Sequence, residues 1–181
     1  MLTDTYTVNV FFDEFFSDPQ RASRWNALRH DSGDPIEFAK SAKETWEKVD
    51  RALGRPVGAN KGRVIFSDGL DVDTALEIWE QCEKIGVDGE HDGGEDRDPQ
   101  SYRAEKFVHP PAASFGIGTH LTNDFALASD PTKSSKPLNI VIKLRKIDGL
   151  ECVKLSDDRG KWTGNEQEVQ RCRQVLGLQD E

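Results

Sequence analysis

Apolar residues recur along the chain in short runs, each followed by a polar turn and then by spacings of three and four. The first run, Met1 and Leu2, is clipped, and Thr3, Asp4 and Thr5 follow it. Val8, Phe11, Phe12, Phe15 and Phe16 then fall at i, i+3, i+4, i+7 and i+8, which predicts an amphipathic helix. Residues 25–28 read as a second strand and residues 29–33 as its turn. Asp34 is placed to cap a helix with Pro35 at its first position, and Gly54 to stop it. Phe38, Ala42, Trp46, Val49 and Leu53 form that helix's stripe.

The pattern repeats at residues 63–66, with a turn over 67–71. Asp71 caps a helix carrying Ala75, Ile78, Trp79, Cys82 and Ile85 and ending at Gly86. Residues 114–117 form the fourth strand, followed by Gly118, Thr119 and His120. Strands alternating with helices imply βαβ units and a parallel sheet, with ligands beyond the strands' carboxyl ends. After Pro137 the grammar changes. Residues 138–144 and 151–155 read as a hairpin turning at Asp148-Gly149. A last helix begins near Asn165, with Val169, Cys172 and Leu176 on one face and Gly177 as its stop. This tail is expected to pack against something other than the strand–helix unit.

Residues 88–106 hold seven acids and three bases with no apolar period. They read as the acidic centre of a surface insertion at 87–113, longer than an ordinary connection. Asp88, Glu90, Asp92 and Gly93 mimic the start of a calcium loop. Position 12 of that loop is Pro99, where a bidentate glutamate is needed, so no metal site is assigned.

Charge narrows the partners. The 181 residues carry 33 acids and 24 bases, a net charge of −9, which argues against nucleic acid. No apolar run is long enough to span a membrane. Three cysteines without CxxC spacing read as reduced thiols, so a cytoplasmic or nuclear location is expected. Length matters too: a complete (β/α)₈ barrel takes about 250 residues, more than this chain has.

Arg29, Asp31, Asp68, Gly118 and Thr119 all fall at or just beyond strand ends, and Asp4 joins them if the clipped strand exists. Asp34 and Asp71 take the helix caps, leaving Asp31 and Asp68 without a structural task. A ligand site and a set of turn residues both remain open readings. Gly116-Ile117-Gly118 opens like a dinucleotide fingerprint, but Leu121 stands where its third glycine belongs, so NAD is not expected. Gly118-Thr119 suits either backbone donation to a phosphate or a tight turn. The four histidines (30, 91, 109, 120) form no HExxH. Lys143, Lys154 and Lys161 read as exposed residues in preference to phosphate ligands.

Several stretches together resemble the C-terminal part of the nicotinate phosphoribosyltransferase family, in its fungal form. They are residues 2–5 (LTDT), 29–35 (RHDSGDP), 66–71 (FSDGLD), 114–124 (SFGIGTHLTND), 138–144 (LNIVIKL) and 153–161 (VKLSDDRGK). The resemblance implies the joining of nicotinate to 5-phosphoribosyl 1-diphosphate, coupled to ATP hydrolysis, in salvage synthesis of NAD. It implies a partial type II phosphoribosyltransferase-like α/β barrel with about half the strands over 1–136. The hairpin and helix of 137–181 would belong to a second domain. A homodimer, Mg²⁺ and the co-substrates 5-phosphoribosyl 1-diphosphate and ATP follow by the same resemblance.

By similarity, Asp31 and Asp68 would be the catalytic carboxylates holding the ribose hydroxyls. Arg29 would meet nicotinate, Gly118 and Thr119 the 5′-phosphate, and Asp4 the diphosphate–magnesium side. Gly69 would line the substrate. His30 stands where the family pattern has glutamine, and the 87–113 insertion is a second departure. The family's phosphorylated histidine precedes the segment matching residues 2–5, so none of the four histidines takes that role. The chain alone is therefore expected to lack ATP-coupled turnover. The alternative is a non-catalytic nucleotide-binding or regulatory subunit-like fragment. Nicotinamide or quinolinate as substrate ranks below nicotinate.

Overall fold

A computed structural model describes residues 1–59, 62–85, 113–122, 125–135 and 141–178. Its centre is a parallel sheet of β1 (Ala27–His30), β2 (Arg63–Phe66) and β3 (Ala113–Phe115), in that order. Leu2 forms a parallel bridge with Arg29 on the free edge of β1, and Arg29 N donates to Met1 O at 2.7 Å. The clipped first strand is therefore present as a single bridge.

Between the strands run α1 (Val8–Ser17), α2 (Pro19–Ala22), α3 (Pro35–Ala52) and α4 (Val72–Lys84). The caps act where the residue types placed them. Asp34 Oδ1 accepts from the N–H groups of Ile36 and Glu37 at 2.8 and 2.9 Å, and Asp71 Oδ1 from that of Thr74 at 2.8 Å. Gly54 closes α3 at φ +67°, a conformation that costs glycine least. Burial then joins helices to sheet. Phe38, Ala39, Ala42, Trp46 and Val49 of α3 form one cluster with Phe15, Leu28, Val64, Phe66, Ile78 and Cys82. Phe15 meets the Trp46 indole edge-on, 5.1 Å between centroids.

Two strand boundaries differ from expectation. The second strand starts at Ala27 and runs through His30, so Arg29 and His30 are strand residues and not turn residues. Period-two burial explains the shift. Leu28 and His30 are buried, matched across the ladder by Val64 and Phe66, whereas Trp25 is exposed. The fourth strand starts one residue earlier than expected, at Ala113, and ends at Phe115. In α1 only Phe15 of the expected stripe is fully buried, and Phe16 is exposed.

Beyond β3 come α5 (Thr119–Thr122) and an antiparallel pair, β4 (Ala126–Leu127) with β5 (Asp130–Ser134), that hydrophobic patterning did not reveal. The tail holds β6 (Lys146–Ile147), β7 (Leu150–Glu151), a 3₁₀ turn at Arg159–Lys161 and α6 (Glu166–Val175) capped by Asn165. The hairpin turns at Asp148-Gly149 as expected, both residues at positive φ. Its strands are much shorter than predicted. Residues 141–145 are not in a strand, although Arg145 O accepts from Cys152 N at 2.8 Å, and Ile142 is 93% exposed.

The tail also corrects a packing expectation, because residues 154–161 return to the sheet. Leu155 N donates to Thr5 O at 2.9 Å, and both carboxylate oxygens of Asp157 accept from Val8 N at 3.1 Å. The second pair of contacts satisfies one of the open N–H groups at the start of α1. No helix among the described residues is long and apolar enough to cross a membrane. The 87–113 insertion, save Ala113, lies outside the described residues. So do Gly86, the calcium-loop mimic, His91, His109, Asn123, Asp124 and residues 138–140.

Candidate active site at the carboxyl end of the sheet

Parallel strands end together, and here the ends of β1 and β2 bring polar side chains into one cluster. Arg29 Nε donates to Ser67 Oγ at 2.8 Å, and its Nη2 to Asp31 Oδ1 at 2.8 Å. Ser67 Oγ lies 3.0 Å from His30 O and 3.1 Å from Asp31 Oδ1, and its single proton serves one of them at a time. Asp68, one residue on, receives Lys161 Nζ on Oδ1 at 2.5 Å. The same ammonium donates to Asp31 O at 2.6 Å. Asp31 and Asp68 thus do have structural partners. Each engages one carboxylate oxygen, and Oδ2 of each has no hydrogen-bond partner among the described residues.

Beneath them lies a second cluster. Asp4 is fully buried, and its Oδ2 accepts from Lys154 Nζ at 2.9 Å, Ser156 Oγ at 2.9 Å and Ser32 Oγ at 3.1 Å. Burial alone would push this carboxyl up. The hydrogen bonds from Lys154, Ser156 and Ser32 and the lysine charge outweigh it, so Asp4 stays below the usual carboxylate range. Ser156 is buried at φ +57°, a left-handed conformation uncommon outside glycine, and its hydroxyl also reaches Ser32 Oγ at 3.0 Å. Asp4 Oδ1 has no hydrogen-bond partner among the described residues.

The other expected residues fall around this core. His30 packs between Phe38 and Phe66, with Nε2 3.1 Å from Gly33 O. Burial lowers its pKa, and the side chain belongs to the core. Gly69 takes φ +59° at an exposed turn. Gly118 and Thr119 are exposed, at the end of the β3 segment and the start of α5. Gly116 comes close to β2: an added Cβ would lie 3.4 Å from Ser67 Cβ.

Sequence reasoning missed Ser67, Ser32, Ser156, Lys154 and Lys161. Lys154 was read as exposed, yet its side chain is 12% exposed. The signal lay in their setting, since both lysines flank the Ser156-Asp157-Asp158 turn that the family resemblance already marks. Mg²⁺ takes hard oxygen donors. Asp31 and Asp68, 22% and 38% exposed, are of that donor type, but among the described residues no third carboxylate, histidine or cysteine joins them in a metal-sized cluster.

A parallel α/β sheet whose strand ends gather two aspartates, an arginine and a lysine has its polar cluster where α/β folds of this class bind ligands, beyond the strands' carboxyl ends. The family model of the nicotinate phosphoribosyltransferase (NAPRTase) family matches residues 1–180, so the chain belongs to that family. A nicotinate phosphoribosyltransferase of Desulforapulum autotrophicum is 33% identical over 97% of this chain and 36% of its own length. That of Saccharomyces cerevisiae is 32% identical over 97% and 34%. The crystal structure of the Porphyromonas gingivalis enzyme matches with TM-score 0.67 at 36% identity, over 97% of this chain and 37% of that one. The Vibrio cholerae structure matches with TM-score 0.71 at 27% identity, over 99% and 35%. The chain spans about a third of the length of the curated relatives it matches.

Proposed function

We propose that this chain carries the ribose and phosphate portion of a nicotinate phosphoribosyltransferase site. The reaction joins nicotinate to 5-phosphoribosyl 1-diphosphate with release of diphosphate, coupled to conversion of ATP to ADP and phosphate. The observation that carries this reading is the pairing of Asp31 and Asp68 at adjacent strand ends. Each has one oxygen anchored and one without a partner among the described residues.

Two spare carboxylate oxygens suit the two adjacent hydroxyls of a ribose. Departure of diphosphate leaves positive charge developing on the sugar ring, and the same carboxylates stabilise it. Arg29, already aligned by Ser67 and Asp31, offers a planar cation to the nicotinate carboxylate. Gly118 and Thr119 supply backbone donors to the 5′-phosphate, and the open turn at Gly69 leaves room beside Asp68. Mg²⁺, when bound with the diphosphate, would supply positive charge to the leaving group. Asp4 acts at one remove: fully buried, it orders Lys154, Ser156 and Ser32 beneath the site and contacts no ligand directly.

The architecture proposed is a partial type II α/β barrel over 1–136, with 137–181 from a second domain. The assembly is a homodimer in the cytoplasm. The test is formation of nicotinate mononucleotide from labelled nicotinate, with calorimetric binding of Mg²⁺–5-phosphoribosyl 1-diphosphate measured in parallel. Asp68→Asn and Asp31→Asn should each weaken that binding or slow turnover by at least about tenfold, the scale of one charge-assisted hydrogen bond. Unchanged binding and rate in both variants would overturn the assignment.

A further inference from the structure

Lys161 is not on the sheet. It arrives from the tail on the Arg159–Lys161 turn, 93 residues after Asp68 and 130 after Asp31. The turn is built to deliver it. Asp158 Oδ1 accepts from Gly160 N at 2.8 Å, and Lys161 N donates to Asp158 O at 2.9 Å. At the base of the loop Lys154 and Thr163 exchange two backbone hydrogen bonds, each 2.9 Å. Trp162 Nε1 donates to Ser156 O at 3.1 Å, and Arg159 and Arg173 lie over its ring.

Stability does not account for this arrangement. The Lys161 and Asp68 side chains are 31% and 38% exposed, and pairs in that setting contribute little. The tail is already fastened to the sheet by the buried Lys154–Asp4 contact. What Lys161 does that Lys154 does not is bridge two strand ends. It ties the main-chain carbonyl of Asp31, after β1, to the carboxylate of Asp68, after β2.

Building on the proposed function, we infer that Lys161 is a positioning residue for the ribosyl substrate. It fixes one oxygen of Asp68 and the backbone of Asp31, so that the spare carboxylate oxygens keep one separation and face one diol. The tail thereby completes a site whose acids come from the sheet.

The test uses the protein with Lys161→Met, Lys161→Arg and, as a remote control, Lys146→Met. Affinities for Mg²⁺–5-phosphoribosyl 1-diphosphate and for nicotinate are measured by calorimetry, alongside melting temperature. Lys161→Met should weaken ribosyl diphosphate binding by at least about tenfold. Nicotinate affinity should stay within about twofold and the melting temperature close to the parent's, as an exposed pair implies. Lys161→Arg should restore much of the loss, and Lys146→Met should change neither affinity. Equal weakening of both ligands together with a lower melting temperature would make Lys161 a structural staple and overturn the inference. So would unchanged affinity in Lys161→Met when the parent binds. A parent protein that binds no ribosyl diphosphate would overturn the proposed function itself, and this inference with it.

Discussion

Lys146 and Glu151 meet at 2.5 Å across the β6–β7 hairpin, and Lys161 and Asp68 meet at 2.5 Å at the end of the sheet. Lys154 and Asp4 are farther apart, at 2.9 Å. Distance alone would rank the buried contact last. The surroundings reverse that order. The hairpin lysine is more than half exposed, so water competes for its ammonium, while Glu151 is 20% exposed. Asp4 is fully buried, with two serine hydroxyls on the same oxygen that takes the lysine. A contact's importance here follows from what would be left if it broke: a solvated lysine and a partly exposed glutamate in the hairpin, a fully buried uncompensated charge at Asp4.

The largest expected effect is therefore Lys154→Met. Leaving Asp4 buried without its cation should cost about 3–5 kcal/mol of folding stability, read by urea denaturation. A loss under about 1 kcal/mol would put this pair in the same class as the hairpin. Replacing both partners, Asp4→Leu with Lys154→Met, should recover much of the stability, since an apolar substitute for a buried pair is often neutral. Removal of the α3 cap by Asp34→Ala comes next, at about 1 kcal/mol.

Acid separates two further groups. Asp4 is held below its unfolded value of about 3.9, so its contribution is whole above that pH and is lost as pH falls through the folded value. His30 is also lowered, so it favours the folded state above about pH 6.5, and that support fades as pH falls through its folded value. These two groups should thus withdraw stability in two stages on acidification, while Asp157, pushed up by burial, acts in the opposite sense. His30→Gln should flatten the first and Lys154→Met should blunt the second, both read from melting temperature against pH. The smallest effect is Lys146→Met, within about 0–1 kcal/mol.

How much could be read beforehand divides along the same line. Asp34, Asp71, Asn165 and Asp148-Gly149 act within a few residues of themselves, so their identity and spacing sufficed. Arg29, Asp31 and Asp68 were legible because a parallel sheet gathers its strand ends. Lys154 was misread because its cause is remote. In sequence it alternates like a solvent-facing strand residue, and its partner is 150 positions earlier. His30 falls outside the expected strand because the boundary there is two residues early, enough to read a core side chain as a turn residue. Residues 141–145 have strand-like composition, but no strand forms there: Arg145 O accepts from Cys152 N at 2.8 Å, one step beyond the β6–β7 pairs, and the regular pairing stops at Lys146.

The return of residues 154–161 to the sheet also has a kinetic consequence. The strand pairs join segments only tens of residues apart, whereas the Asp4–Lys154 and Asp157–Val8 contacts close loops of 150 and 149 residues. Loop closure on that scale comes late and slows folding. During synthesis the sheet can assemble while the tail is still being made, but Asp68 gains its lysine only after residue 161 has left the ribosome. Asp4 and Asp68 thus gain their lysines late, and the newborn sheet passes through an interval with Asp31 already paired to Arg29 and these two acids still without a cation.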